Sequence, residues 1–560
     1  MVNQDDPPIF TVAPTADGDE GSDLDPDLNL PVFQSPPKPI GAPSPPPLFR
    51  TLKVYAFGPS RGKARGNIQS LAVPYEKLAP GPVGERIAVV DYDLSRKCFY
   101  DPVDLDDLHI AINGGLDPSE SDPHFHQQMA YAVVSESLRR IELALGRTVR
   151  QRSPAGTKSL KILVHPHFAE TTNAFTSESH INCGYFRAAT NAPGRVLPGQ
   201  TVFTCLSQDV VGHMVTHVVL NAVRPDLGRS LDNWTLLEAL SDLTPLLFHF
   251  TNREIVFDTI QRTAGVIYRS QLSGSAGSVS QARIVAELES DNPLLALSGE
   301  FGEAIGRVGG IRNALLAPDS AAFEAEREHH ARAAIVVAAV FDAMFSIYEQ
   351  RTADLFRIYR AGGGRIDGPD LPEPLAGRLC DEVAAIATRF FTMCWRGVDH
   401  CPPVEVPVSD FLRGCITADY EYEKEDRWGV RDALMQAFRV RGITPKSAAF
   451  FSEEALRWPI AAADWPVLNP ERLTDDALPE LQAFVDASKE QLELGRRARP
   501  TIYPLQTASF TSPNDLPQVS LSTQILTTPR TGMTVIFDAA GRVRHAIPTS
   551  KDAARKEPGF

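Results

Sequence analysis

The chain has no paired cysteine motif. Its seven cysteines, Cys98, Cys183, Cys205, Cys380, Cys394, Cys401 and Cys415, are spread over 560 residues and never form a CxxC pair. That argues against a disulfide framework or a structural zinc knot and for reduced, mostly buried thiols. The first residues, MVNQDDPPIF, offer neither a basic n-region nor an apolar h-region, so no secretory signal is expected and a cytoplasmic address is. The longest apolar run, Ala333 to Phe341, is far short of the ~20 residues that span a bilayer. Positive charge is scarce as well: 55 Lys and Arg stand against 70 Asp and Glu, a formal net charge of -15. A broad acidic surface repels phosphate, which argues against nucleic acid or an anionic membrane as partner. Gly362-Gly363-Gly364 lacks the Lys and Ser/Thr that follow in a phosphate loop and reads as a helix stop.

What is present is an ordinary soluble composition, 43% hydrophobic and 22% charged, on a chain long enough for more than one domain. Residues 1–48 carry an acidic cluster, DGDEGSDLDPD, and then Pro clusters, which cannot bury enough apolar surface to offset chain entropy; a disordered arm is expected. Residues 49–258 read as a β-rich subdomain, with strand-like LKVYAF, ERIAVVDYDL, KCFYDPVDL and SLKILVHP and one helix near His124 to Leu145. Residues 259–470 read as a helical subdomain, with long helices near 329–362, 372–400 and 427–441. Residues 471–560 read as a linker and a C-terminal β element, VSLSTQIL followed by a hairpin around Ala539, Ala540 and Gly541. The fold class this predicts is α+β, with Trp395 and Trp428 in the core.

One stretch concentrates the chemistry. In DVVGHMVTHVVL, residues 209–220, His213 and His217 stand four apart, so a helix aims both imidazoles at one point. Further on, TLLEALSDLTPLL places Glu238 and Asp242 on one face of a second helix. Two histidines and a carboxylate with a fourth position open for water are the catalytic zinc arrangement. Asp242 suits the outer acceptor that fixes a ligand histidine's tautomer. One zinc is therefore expected. Asp209 reads as the cap of the first helix and Asp232 or Asn233 as the cap of the second. His124, His126, His165 and His167 read as ordinary turn residues, since no carboxylate stands at ligand spacing. His400 with Cys394 and Cys401 lacks a CxxC partner, and His329-His330 opens an Ala-rich helix where a doubled histidine is usually surface.

DVVGHMVTHVV resembles the metal-site helix of the thermolysin-like zinc metallopeptidases, the gluzincins, in which it runs DVVGHELTHAV; LEALSD resembles their NEAISD segment. Asn173-Ala174-Phe175 matches the strand end that contacts substrate backbone in this family, and HARAAIVVAAVF from His330 resembles the helix whose histidine stabilises the oxyanion. VYAFGPS, PGPVGE, CFYDPVDLDD, FHQQMAYAV, ITADYEYEKEDRWG and SEEALRW resemble a bacterial cytoplasmic branch, over roughly residues 50–460. The resemblance implies a two-subdomain thermolysin-like fold with a peptide-binding cleft between subdomains. It implies zinc on His213, His217 and Glu238, Asp242 behind them, His330 as oxyanion stabiliser, and Asn173, Ala174 and Phe175 as substrate contacts. The carboxylate cluster that binds calcium is not evident beyond Asp242, so no calcium is expected.

Met214 stands where the family's general-base glutamate belongs. A thioether can neither take a proton from zinc-bound water nor deliver one to a leaving amine, a loss of about 10²- to 10⁴-fold. Three readings stay open: a pseudopeptidase that keeps zinc and binds peptides or proteins, an enzyme that recruits another base, and a metal-free structural relic.

Overall fold

A computed structural model describes residues 47–550, apart from 193, 228–229, 269, 271, 273–291, 308–309, 365–370, 447, 470–477, 496–497 and 512–516. The acidic and Pro-rich arm up to residue 46 lies outside the described residues, as do the last ten.

The chain begins with a hairpin whose strands, Phe49–Tyr55 and Ile68–Pro74, pair antiparallel from Phe49↔Pro74 to Tyr55↔Ile68. Val54, Leu52, Leu71 and Val73 alternate inward, the period-2 pattern of a strand with one buried face. A five-stranded mixed sheet follows, in the order Thr201–Phe203, His180–Arg187, Ile162–Glu170, Ile87–Val89, with the short strand Ala174–Ser177 also paired to His180–Arg187. Helix α1, Pro123–Leu145, covers it. Its start is set by the Asp122 carboxylate, which accepts from His124 N, and by Pro123 at the first position; Gly146 in the left-handed region ends it.

Helices then dominate. α2 spans Gln208–Val223 and α3 Leu231–His249, packed side by side. α4, His329–Ala361, lies against α3, and α5, Glu373–Asp399, against both α4 and α6, Val408–Tyr422; α7, Val430–Arg439, closes on α4. The architecture is thus α+β, β-rich in the first half and helical in the second. One hydrophobic cluster runs from Leu52 through Phe341 and Trp395 to Leu456, joining the sheet to the helices. α4 is the one described helix long and apolar enough to cross a membrane, and 83% of its most apolar window is buried inside the protein. Trp395 is wholly buried, whereas Trp428 only leans on the core.

The C-terminal strands form a second sheet, Thr501–Ile502, Pro517–Thr528, Thr531–Phe537 and Val543–Pro548, with Gln506–Thr511 on the same long strand. The expected hairpin is present, its turn built around Gly541 at φ +75°. The sheet has its own core of Leu481, Phe484, Ile525, Val535 and Phe537. It is tied to the helices by Thr534 Oγ1, which donates to the Cys401 carbonyl at 2.7 Å, and by Arg396 stacked on Phe510 at 3.4 Å.

Two helix starts differ from expectation. Ser207 caps α2, its hydroxyl accepting from Val210 N at 3.3 Å. Asp209 is already helical, two residues past the position from which a side chain can reach the free N–H groups. Likewise Ser230 caps α3 by accepting from Asn233 N. Asp232 instead pairs with Arg332 at 2.7 Å, and the Asn233 amide holds Val404 O and Val406 N.

Beside the turn that follows the first strand sits Glu300, in the short helix Gly299–Ala304, 7% exposed. Its Oε2 accepts from Ser60 N at 2.9 Å. Gly58, at φ +114°, leaves the room: a Cβ there would stand 2.4 Å from that oxygen. Burial, helped by Glu120 and Glu303 against the Ser60 bond, pushes the Glu300 carboxyl from 4.5 up to about 7. The folded state therefore holds one more proton than the unfolded chain between those values, so stability falls as pH rises from about 4.5 to about 7, by at most about 3 kcal/mol. Glu300→Gln keeps an acceptor for Ser60 N and removes the titration. Denaturant midpoints from pH 4.5 to 8 should fall for the wild type relative to the variant; parallel curves would rule out the buried acid.

Candidate metal centre

α2 and α3 run side by side so that the predicted ligands meet. His213 and His217 lie one turn apart on α2, their Nε2 atoms 2.9 Å from each other. Glu238 reaches across from α3: Oε2 is 3.5 Å from His213 Nε2 and Oε1 3.5 Å from His217 Nε2. One ligand atom from each residue falls in a group spanning less than 4.8 Å. Zinc bonds of 2.0–2.1 Å at tetrahedral angles separate donor atoms by about 3.4 Å. The carboxylate already stands at that spacing, and the two imidazoles need open by only about half an ångström. The donor set fits a metal ion.

Behind the ligands, His213 Nδ1 donates to Asp242 Oδ1 at 2.9 Å, the outer bond that turns Nε2 toward the site. Asp242 is itself held by Arg312, whose guanidinium donates to Oδ1 at 2.6 Å and Oδ2 at 2.5 Å and reaches Glu238 Oε2 at 3.4 Å. Arg312 comes from a two-residue strand, Arg312–Asn313, paired with Ala296–Leu297. Nothing in its local sequence, GGIRNALL, carries a motif.

Without a metal the group is held by protons. Burial works against the charge on His213, yet hydrogen bonds and ion pairs to Asp242 and Glu238 raise it to about 9. Burial, and then the charge on His213, pushes His217 down to about 4. Glu238 is buried, but its histidine partners hold it well below the usual carboxylate range. These shifts put the positive charge of the histidine pair on His213, beside Asp242 and Glu238.

His330, the second residue of α4, joins the same centre: its Nε2 is 3.5 Å from Glu238 Oε2 and its Nδ1 is 2.7 Å from Glu328 Oε1. Glu328 is the cap of α4, accepting from His330 N and Ala331 N. Those N–H groups and His330, acting against burial, lower it to about 2. His329 packs on His330 with ring centroids 4.1 Å apart.

A cavity of about 160 Å³ opens beside the centre, lined by Asn173, Ala174, Asp209, His213, Met214 and Arg312 together with apolar Val210, Leu297, Phe301 and Ile311. Asn173 and Ala174 thus meet the metal group. Phe175 does not line this cavity; on the opposite face of its strand it sets its ring edge-on to Phe168 at 5.3 Å. Gly184 brings that strand close: a Cβ there would collide with Asn173 O at 2.5 Å, and its N–H bonds the same oxygen at 3.0 Å. Met214 is partly buried against the core and faces the cavity. Asp209 is the one acid in the lining, and both its oxygens are engaged, by His249 Nε2 at 2.7 Å and Ser298 N at 2.6 Å.

The remaining histidines depart from a turn reading. His126 is inside α1 and His167 inside a strand, both buried, and they contact each other. Burial, then the charge of His167, pushes His126 down to about 3. His165 stacks on His180, and His400 is buried with Nε2 3.1 Å from Glu421 Oε2.

No family model matches the chain, and no curated protein does. The metal centre therefore stands on its donor geometry.

Asp242→Asn keeps the volume but weakens the outer bond to His213 and the pair with Arg312. It should cost about 10- to 100-fold in zinc affinity at this centre, read by competition against a chromophoric chelator, whereas the His213→Ala, His217→Ala protein should lose this centre's share of the binding. Unchanged affinity in Asp242→Asn would remove Asp242 from the metal centre.

Proposed function

We propose that this chain is a thermolysin-like zinc-metallopeptidase homologue, cytoplasmic, that holds zinc on His213, His217 and Glu238. It binds a peptide or protein segment in the adjoining cleft without cutting it. The observation that carries the reading is Met214, which lines the cavity beside His213 and stands where the family that the sequence resembles has its general-base glutamate. When bound, zinc would polarise a carbonyl and acidify a water. The chain's own residues must then move the protons, and Met214 cannot accept one.

The one acid that lines the cavity is Asp209, whose two oxygens already accept from His249 and Ser298 N; releasing one would strand a buried donor at a cost of about 1–3 kcal/mol. Glu238 and Asp242 are committed to the histidines and Arg312. A binding role keeps a use for every other part. Arg312 and His330 bring cationic or donor groups to the edge of the site, and Asn173 sits at the start of the short strand Ala174–Ser177, a place where an extended peptide can add main-chain bonds.

The test is cleavage of a peptide library by the zinc-loaded wild type and by Met214→Glu. The wild type should stay at background, and the variant should gain zinc-dependent cleavage by about 10²- to 10⁴-fold. Wild-type cleavage that a chelator abolishes would overturn the non-cutting role.

A further inference from the structure

Outside the centre just described, His126 on α1, His167 on the strand Ile162–Glu170 and Cys205 in the 3₁₀ turn Thr204–Leu206 meet in the interior. All three are buried, with one ligand atom of each in a group spanning less than 4.8 Å. His126 Nδ1 and His167 Nε2 are 2.7 Å apart.

The surrounding hydrogen bonds settle which lone pairs face inward. Val103 N donates to Gln127 Oε1 at 2.9 Å, which fixes that amide and sends its Nε2 to Asp91 Oδ2 at 2.9 Å. The other Asp91 oxygen, Oδ1, lies 2.8 Å from His167 Nδ1 and takes its N–H. On the far side His126 Nε2 is 3.1 Å from the Glu120 carbonyl, an acceptor only, and so donates to it. Both outer nitrogens thus carry the hydrogens, and both inner nitrogens present lone pairs to one point. Two lone pairs at 2.7 Å repel unless a cation lies between them. A proton would leave an imidazolium in a buried place, whereas a metal ion would also use the adjacent sulfur.

We infer that His126 Nδ1, His167 Nε2 and Cys205 Sγ form a second metal site, for one zinc(II) or copper(I) ion. Two imidazoles and a thiolate select those ions over calcium or magnesium. Asp91 and the Glu120 carbonyl orient the ligand rings as outer acceptors do at metal centres. Binding releases the Cys205 thiol proton to solvent, with no change of oxidation state. The inner nitrogens must part from 2.7 Å to about 3.4 Å for a tetrahedral ion. Phe203 and Tyr100 pack on the rings, at 4.7 Å from His126 and 4.5 Å from His167, shielding the site from water as a structural site requires.

This site shares no ligand with the His213 centre, so the two are separable. Full-length protein expressed in cobalt-supplemented medium should show a near-ultraviolet sulfur-to-cobalt charge-transfer band, since Cys205 is the only thiolate donor in either proposed site. The band should persist in His213→Ala, His217→Ala and vanish in Cys205→Ser. Elemental analysis of native protein should give two ions per chain in the wild type and one in each variant, the lost element naming zinc or copper. Cobalt-loaded wild type without the band, or full metal content in Cys205→Ser, would overturn the site. The wild-type spectrum decides the matter even if Cys205→Ser fails to fold.

Discussion

The pairing of Asp242 with His213 and Arg312 is the constraint on which the centre depends. A carboxylate 2% exposed is costly unless its oxygens are matched, and here one imidazole N–H and one guanidinium do so. That match locks α2 to α3 at the depth where Glu238 can reach both histidines, and it pins the strand carrying Arg312 over the same spot. Loss of Asp242 would leave Arg312 facing Glu238 alone, with nothing to turn the His213 ring. The geometry of three ligands thus rests on a residue that need not touch the ion.

Met214 is easier to understand against that background. A carboxylate at position 214 would add negative charge to the cavity wall that Met214 shares with His213 and Arg312. With methionine there, the charges within the network come close to balance: Arg312 and the proton on His213 against Glu238 and Asp242. Methionine there offers no proton carrier and adds no charge to the network.

Much of this was legible in the sequence because helical spacing does the geometry. His213 and His217 at i and i+4, and Glu238 and Asp242 at i and i+4, needed only that each stretch be a helix, and both are. The long helices and the C-terminal hairpin were legible for the same reason. Arg312 was not, because its contact to Asp242 spans 70 residues and arises from a two-residue strand without periodicity. His126, His167, Asp91 and Cys205 come from a helix, a strand, a strand end and a turn, so no local spacing announces them. Asp209 was misplaced because composition marks a cap but not which of two neighbouring candidates lies at the half-helical residue; Ser207 does.

The turn Thr204–Leu206 joins the two centres mechanically. It carries Cys205, runs directly into Ser207, the cap of α2, and is followed by Asp209, whose bonds to His249 and Ser298 N fix the first turn of that helix. His213 lies one turn further along. An ion on Cys205 would therefore anchor the helix start to α1 and the sheet through His126 and His167 and remove a freedom that the His213 centre must otherwise suppress by itself. Pre-ordering one ligand element lowers the cost of binding at the other without any shared atom. The buried sulfur site would thus act as a brace for the His213 centre, and α2 is the element through which that bracing acts.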